Sequence, residues 1–270
     1  MKYMSLSEQI TYATVLLACE LPDGSTSRGT GFIVNLCHNE EAQTHIPVVI
    51  TNEHVVKNSI QTTFEFCKAT NDDEPIDNEC VTVTFSGNPW LHHPDKDVDL
   101  CCLALAPKLK ALSVDKQNVF YMPLETSLIP TEEILESLFA IEDVVMVGYP
   151  IGLADHYNHK PIIRRGITAS HPKYDYQGKK ETLIDMACFP GSSGSPVFIL
   201  NEGLVVNNRT VSVGDRIIFL GVLYGGPQYT ADGILKMATL PGIPHPAINI
   251  PTNLGIIIKA ERILEFEQLF

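Results

Sequence analysis

Short β-branched runs, each cut off by a turn signal, set the strongest limit on what this chain can fold into. The first half carries Gly29-Thr30-Gly31-Phe32-Ile33-Val34, Pro47–Thr51, Thr62–Cys67, Val81–Phe85 and Val98–Leu105. The second half carries Val144–Gly148, Ile162–Ser170, Thr182–Met186, Pro196–Leu200, Ile217–Tyr224 and Gly255–Ile258. Runs this short, rich in Val, Ile, Thr and Phe and separated by Gly, Pro, Asn and Asp, predict an all-β barrel or sandwich. Between the two sets, Pro107–Pro130 has no clear periodicity and reads as a connection. Thr131 can cap a short helix over Glu132–Phe139, with Glu132 and Glu133 in its first turn, where acids suit the helix dipole. Ala260–Leu269 reads as a closing helix that offers Ile263, Leu264, Phe266 and Leu269 for packing.

The chain has 270 residues, enough to bury a sizeable core in one large or two small domains. Its formal charge of −13 argues against nucleic-acid binding through a broad basic surface. No apolar run approaches the length of a membrane span. Thr14–Cys19 is too short for an export signal and Glu20 follows it at once. Seven cysteines without regular spacing, and no export signal, predict reduced thiols and a cytoplasmic location.

Chemistry concentrates in Phe189-Pro190-Gly191-Ser192-Ser193-Gly194-Ser195-Pro196-Val197. Glycines on both sides of the serines allow a tight turn that holds a hydroxyl out of the chain while backbone N–H groups converge beside it. An ordinary Gly/Ser turn between strands would look the same in isolation. Two upstream stretches change the reading. Thr51-Asn52-Glu53-His54-Val55 sets a histidine just past an apolar run, and Asp97-Val98-Asp99-Leu100 sets acids before another. A serine nucleophile needs a base, and the base needs a group that fixes its tautomer. Candidates for all three roles occur in the order His, Asp, Ser. Asp97 and Asp99 lie two apart and would face the same way on a strand, so residue pattern alone leaves both open.

These motifs resemble the chymotrypsin-like serine proteases, most closely the trypsin-like protease domains of the bacterial Deg/HtrA type. Gly148-Tyr149-Pro150-Ile151-Gly152, Gly166-Ile167-Thr168, Asp185, Gly221-Val222-Leu223 and Asn253-Leu254-Gly255 extend the likeness from about Gly29 to the C-terminus. The resemblance implies two antiparallel six-stranded β-barrels with a short interdomain helix and a C-terminal helix. The expected division is residues 1–110 for the first barrel, 111–140 for the connection and 141–270 for the second. It implies peptide hydrolysis through an acyl-enzyme, with Ser193 as nucleophile, His54 as general base and then acid, and Asp97 orienting His54. Asp97 is selected because the family sets the acid before an aliphatic residue, a variable one and Leu. Backbone N–H groups of Gly191 and Ser193 would form the oxyanion hole.

The same resemblance puts Ala187 at the floor of the pocket for the side chain before the scissile bond, with Cys188, Tyr224, Gly225 and Gly226 in its wall. A protein or peptide substrate is implied, with no cofactor and no metal. A regulatory partner is left open. Departures exist: Ser195 stands where the family often has glycine, no cysteine follows His54, and the sequence holds no PDZ domain. Deg-type chaperone and peptide-sensing roles are therefore not carried over. The alternative is a catalytically silent domain used as a binding module, which has no need of the full set His54, Asp97, Ser193 and Gly191. His92-His93, His156 and His159 come without a Cys-x-x-Cys pair and read as structural or surface residues.

Overall fold

The computed structural model describes residues 4–39, 41–42, 44–207, 210–232 and 247–270. The first strand set comprises β1 (Thr14–Glu20), β2 (Thr26–Asn39), β3 (Thr44–Thr51), β4 (Gln61–Ala69), β5 (Pro75–Ser86), β6 (Leu91–His92), β7 (Cys101–Ala104), β8 (Val119–Phe120) and β9 (Leu124–Glu125). The second comprises β10 (Asp143–Gly148), β11 (Ile162–Thr168), β12 (Glu181–Asp185), β13 (Pro196–Asn201), β14 (Leu204–Asn207), β15 (Thr210–Val213), β16 (Arg216–Gly225), β17 (Gln228–Asp232), β18 (Ala247–Pro251) and β19 (Leu254–Lys259). The α-helices among the described residues are short: α1 (Leu6–Gln9), α2 (Glu53–Val56), α3 (Ala106–Val114) and α4 (Glu132–Ser137).

The second set closes into a six-stranded barrel in the order β10-β11-β12-β19-β16-β13. The first set forms a nine-stranded sheet along the path β5-β4-β1-β2-β3-β7-β6, with β8 on β4 and β9 on β2. Its ladder does not close among the described residues, so of the expected pair of six-stranded barrels one is seen closed and the other forms a nine-stranded sheet. The edge strand β6 is only two residues long, which leaves little backbone to carry the pairing round.

Two departures in the connecting and terminal segments have local causes. Residues 107–130 hold α3, which starts with Pro107 in its first turn, and the strands β8 and β9. Only Leu112 of α3 is buried, so its sequence carries almost no apolar stripe to read. The closing segment Ala260–Leu269 is a 3-10 helix. It buries Ile263 and Phe266, while Leu264 and Leu269 stay partly exposed.

One core cluster joins the two strand sets. It runs from Phe32, Val34, Val48 and Ile50 to Val147, Phe198, Phe219, Val222 and Ile258. The rings of Phe32 and Phe219 meet edge to face at 5.4 Å between centroids. Separate clusters fill the interior of each set. The packed seam fixes β2 and β3 of the first set against β13 and β16 of the second, and the ends of those strands carry the candidate site.

Candidate active site

Three residues past the end of β3, α2 presents His54 at the surface while Val55 and Val56 anchor the helix in the core. The acid that touches His54 is Asp99. Its Oδ2 lies 2.5 Å from His54 Nδ1, and its Oδ1 accepts the backbone N–H of His54 at 3.0 Å. Asn52 Nδ2 in turn donates to the carbonyl of Asp99 at 2.8 Å. This two-point grip fixes the imidazole and claims Nδ1, leaving Nε2 as the nitrogen free to exchange a proton.

Asp97, expected in that place, sits in an exposed turn, where its N–H donates to Asp95 Oδ1 at 3.0 Å. Neither Asp97 nor Asp99 is on a strand, since β7 begins only at Cys101, and the pairing of β7 with β3 shows which of the two reaches His54. Thr51 of β3 lies opposite Cys101 of β7. Continuing that antiparallel pairing past both strand ends brings residue 99 beside the start of α2.

The Gly/Ser stretch forms a tight turn in which almost every carbonyl has a partner. Ser192 N–H donates to Phe189 O at 3.0 Å and Ser195 N–H to Ser192 O at 3.0 Å. The Pro190 carbonyl accepts the N–H of Ile151 at 2.6 Å. The Gly191 carbonyl accepts the hydroxyl of Thr30 at 3.2 Å, and the Ser193 carbonyl accepts the N–H of Thr30 at 2.9 Å. Because a trans peptide is planar, holding the Pro190 carbonyl on Ile151 turns the Gly191 N–H to the opposite side. Among the described residues, neither the Gly191 N–H nor the Ser193 N–H has an acceptor.

Glycine is required at both bends. Gly191 has φ +86°, and a Cβ there would lie 2.9 Å from Ile151 N and from Tyr149 O. Gly194 has φ +84°, and a Cβ there would lie 2.0 Å from the Thr30 carbonyl.

The three serines are distinct in their surroundings. Ser192 and Ser195 are buried, whereas Ser193 is half-buried and lines a cavity of about 560 Å³. Ser195 Oγ donates to Thr30 Oγ1 at 3.1 Å. The cavity is walled by Cys188, Phe189, Leu223, Tyr224, Gly225 and Gly226 among others, and none of the described residues in its lining is charged. Burial pushes the Cys188 thiol up to about 11, against the pull of the nearby Arg164 guanidinium, so it is a neutral wall group and not a thiolate. Ala187, expected at the floor, does not line the cavity. Its carbonyl is turned to the Arg164 guanidinium, which also lies over the Phe189 ring at 4.8 Å. Asp185 is exposed at the end of β12 and stays out of the lining.

Residues 29–206 match the trypsin-like peptidase domain. The chain belongs to that family. As a trypsin-like peptidase with a serine at the turn, it is a hydrolase of the serine protease class. No curated protein sequence matches the chain. Among solved structures, the Rv3671c protease from M. tuberculosis in its active form is 16% identical, with a TM-score of 0.48 over 94% of this chain and 78% of that one. The HtrA-type protease AlgW with tripeptide is 15% identical, with a TM-score of 0.48 over 96% of this chain and 60% of that one. The thermostable serine protease AL20 from an extremophilic microorganism is 10% identical, with a TM-score of 0.49 over 96% and 97%.

The Thr30 clamp, the Ile151 contact and the role of Asp99 are not evident from the motifs alone. Thr30 stands in Gly29-Thr30-Gly31, where the small neighbours let another chain segment approach.

Proposed function

We propose that this trypsin-like peptidase is a serine endopeptidase that cuts peptide bonds through an acyl-enzyme. Ser193 attacks the scissile carbonyl while His54 Nε2 takes its proton. Asp99 holds the imidazole in the tautomer with its proton on Nδ1 and stabilises the imidazolium that forms. The carbonyl oxygen, becoming negative, is received by the N–H groups of Gly191 and Ser193. His54 then returns the proton to the leaving amine, and water repeats the sequence on the ester.

The observation that carries this reading is the fixed Pro190–Gly191 peptide. Two backbone donors beside an accessible serine are left without acceptors while the carbonyls around them are all engaged. An ordinary Gly/Ser turn has no reason to spend two half-buried N–H groups in this way. A domain used only for binding has no need for them either.

The seven free cysteines include Cys67 and Cys80, which face each other across β4 and β5 without a disulfide. They support a reducing, cytoplasmic compartment.

The test is labelling by a fluorophosphonate probe together with cleavage of a peptide library. Wild type should be labelled on Ser193 and cut internal peptide bonds. Ser193→Ala should lose labelling and lower kcat by on the order of 10⁴–10⁶. Equal turnover in Ser193→Ala and wild type would end the serine-peptidase assignment. Labelling without peptide cleavage, alongside rapid ester hydrolysis, would move the substrate class from peptides to esters.

A further inference from the structure

Away from the catalytic residues, the two strand sets meet at a second cluster of reactive side chains. Strands β4 and β5 pair with Glu65 opposite Thr82 and Cys67 opposite Cys80. Phe64, Phe66, Val81 and Val83 take the inner face, so Glu65 and Cys80 stand on the outer one. His159 reaches that face from the segment between β10 and β11. It is delivered by a stiff turn: Asp155 and Lys160 exchange two backbone hydrogen bonds, at 2.9 and 3.1 Å. The Asp155 carboxylate also accepts the N–H groups of Tyr157 and Asn158, both at 3.1 Å. Lys160 docks the turn, with its Nζ 2.7 Å from Asp77 and 3.4 Å from the Tyr12 ring centroid.

We propose that Glu65, Cys80 and His159 form a site for a zinc-type divalent cation that ties the 155–160 turn to the first strand set. One ligand atom from each residue lies within 4.8 Å of the other two. His159 Nδ1 is already 3.1 Å from Glu65 Oε2. Ligand atoms 2.0–2.3 Å from a tetrahedral zinc lie roughly 3.3–3.7 Å apart, so closure needs only small side-chain adjustments. A nitrogen, a thiolate sulfur and a carboxylate oxygen suit zinc and neither calcium nor magnesium, which take oxygen ligands. Three protein ligands with water in the fourth position is an established zinc count.

A dication accepts the thiolate and the carboxylate together. His159 has φ +52°, a conformation open to histidine at some cost, and the turn holds it there so that the ring reaches across. The cluster shares no residue with Ser193, His54 or Asp99, so the inference stands apart from the peptidase assignment and is read without activity.

The experiment strips the full-length protein with a chelator and titrates it with zinc chloride against a chromophoric competitor, then repeats the titration with cobalt(II). One zinc per chain, a cobalt spectrum with a thiolate charge-transfer band, and a melting temperature raised by zinc are expected. Cys80→Ser should abolish the charge-transfer band, and His159→Gln and Glu65→Gln should each weaken zinc by about 10–100-fold or more. Cys37→Ser, which alters a thiol elsewhere, should bind like wild type. A Cys80→Ser protein that keeps wild-type zinc affinity would overturn the proposal, as would zinc binding lost equally in Cys37→Ser. So would failure of folded wild type to bind zinc at micromolar concentration.

Discussion

The backbone N–H of Thr30 donates to the carbonyl of Ser193 at 2.9 Å, and this bond fastens the serine turn to a strand of the other half of the chain. Thr30 makes four more bonds from the same place. Its carbonyl accepts the hydroxyl of Thr51, three residues before His54, at 2.8 Å. Its own hydroxyl donates to Gly191 O and accepts from Tyr149 N–H at 3.0 Å and from Ser195 Oγ at 3.1 Å. One fully buried residue therefore references both the segment that carries His54 and the turn that carries Ser193 to β2.

Thr30→Val keeps the shape and removes the hydroxyl. The Gly191 carbonyl, the Tyr149 N–H and the Ser195 hydroxyl are then left buried with a partner missing, at about 1–3 kcal/mol for each group that finds no substitute. Thermal unfolding should show a loss of several degrees, and kcat should fall by more than KM changes because Gly191 loses the bond that holds the peptide on its C-terminal side, leaving only the Ile151 bond on its N-terminal side. Thr30→Ser should restore both. A Thr30→Val enzyme with unchanged kcat would show that the Ile151 contact alone fixes the direction of the Gly191 N–H.

Asp99→Asn should keep the fold but present an amide donor to His54 Nδ1 and force the wrong tautomer, lowering kcat by about 10⁴. Asp97→Asn should stay within a few-fold of wild type, because that carboxylate is exposed in a turn. Steady-state kinetics on one peptide substrate, with matched melting curves, checks both. The reverse order of effects would return the role to Asp97.

The meeting of His54 with Asp99 instead of Asp97 shows what a sequence carries and what it withholds. The strand runs were legible because β-branched clusters between turn residues have few other uses, and His54 and Ser193 stood out as candidates because small residues and distinctive neighbours surround them. Asp97-Val98-Asp99-Leu100 offers two acids with equal local claims. Only the pairing of Thr51 with Cys101, a contact across 50 positions of chain, separates them. The Ile151–Pro190 bond and the His159–Glu65 pair are invisible for the same reason, since each joins elements from distant parts of the sequence. The open first sheet depends on strand length at its edge, which residue pattern specifies weakly.

Gly191→Ala should lower kcat by on the order of 10²–10³, the usual cost of losing one oxyanion donor. Its Cβ would collide with Ile151 N and Tyr149 O, and alanine resists φ +86°. Ile151→Gly should act in the opposite direction on stability. Ile151 sits at φ 49°, ψ 27° and its side chain is 63% exposed, so little burial is lost. Relieving about 1–2 kcal/mol of left-handed strain outweighs the added flexibility of glycine by up to ~1 kcal/mol. Activity should hold, because the glycine retains the N–H that grips Pro190. Urea titration read beside kcat separates the two effects, and a drop in kcat for Ile151→Gly would mean that the strained residue itself sets the peptide angle.

The cavity beside Ser193 sets the expected specificity for the residue before the scissile bond. Among the described residues, its lining of Cys188, Phe189, Leu223, Tyr224, Gly225 and Leu254 offers no charge to pair with a cationic head. Burying an unpaired cation costs several kcal/mol, whereas each buried CH₂ contributes about 0.8 kcal/mol. Burial and the bond to Glu181 at 2.9 Å both raise the Tyr224 phenol, so it stays neutral and adds no anion. Arg164, stacked on Phe189 and bonded to the Ala187 carbonyl, places positive charge near the wall and works further against Arg and Lys. Val, Ala, Leu and Ile should therefore be preferred at this position. Digestion of a peptide library varied there, read by mass spectrometry, tests the order. Dominant cleavage after Arg or Lys would mean that Asp185 swings from its exposed place on β12 into the pocket. Asp185→Ala would then abolish the preference.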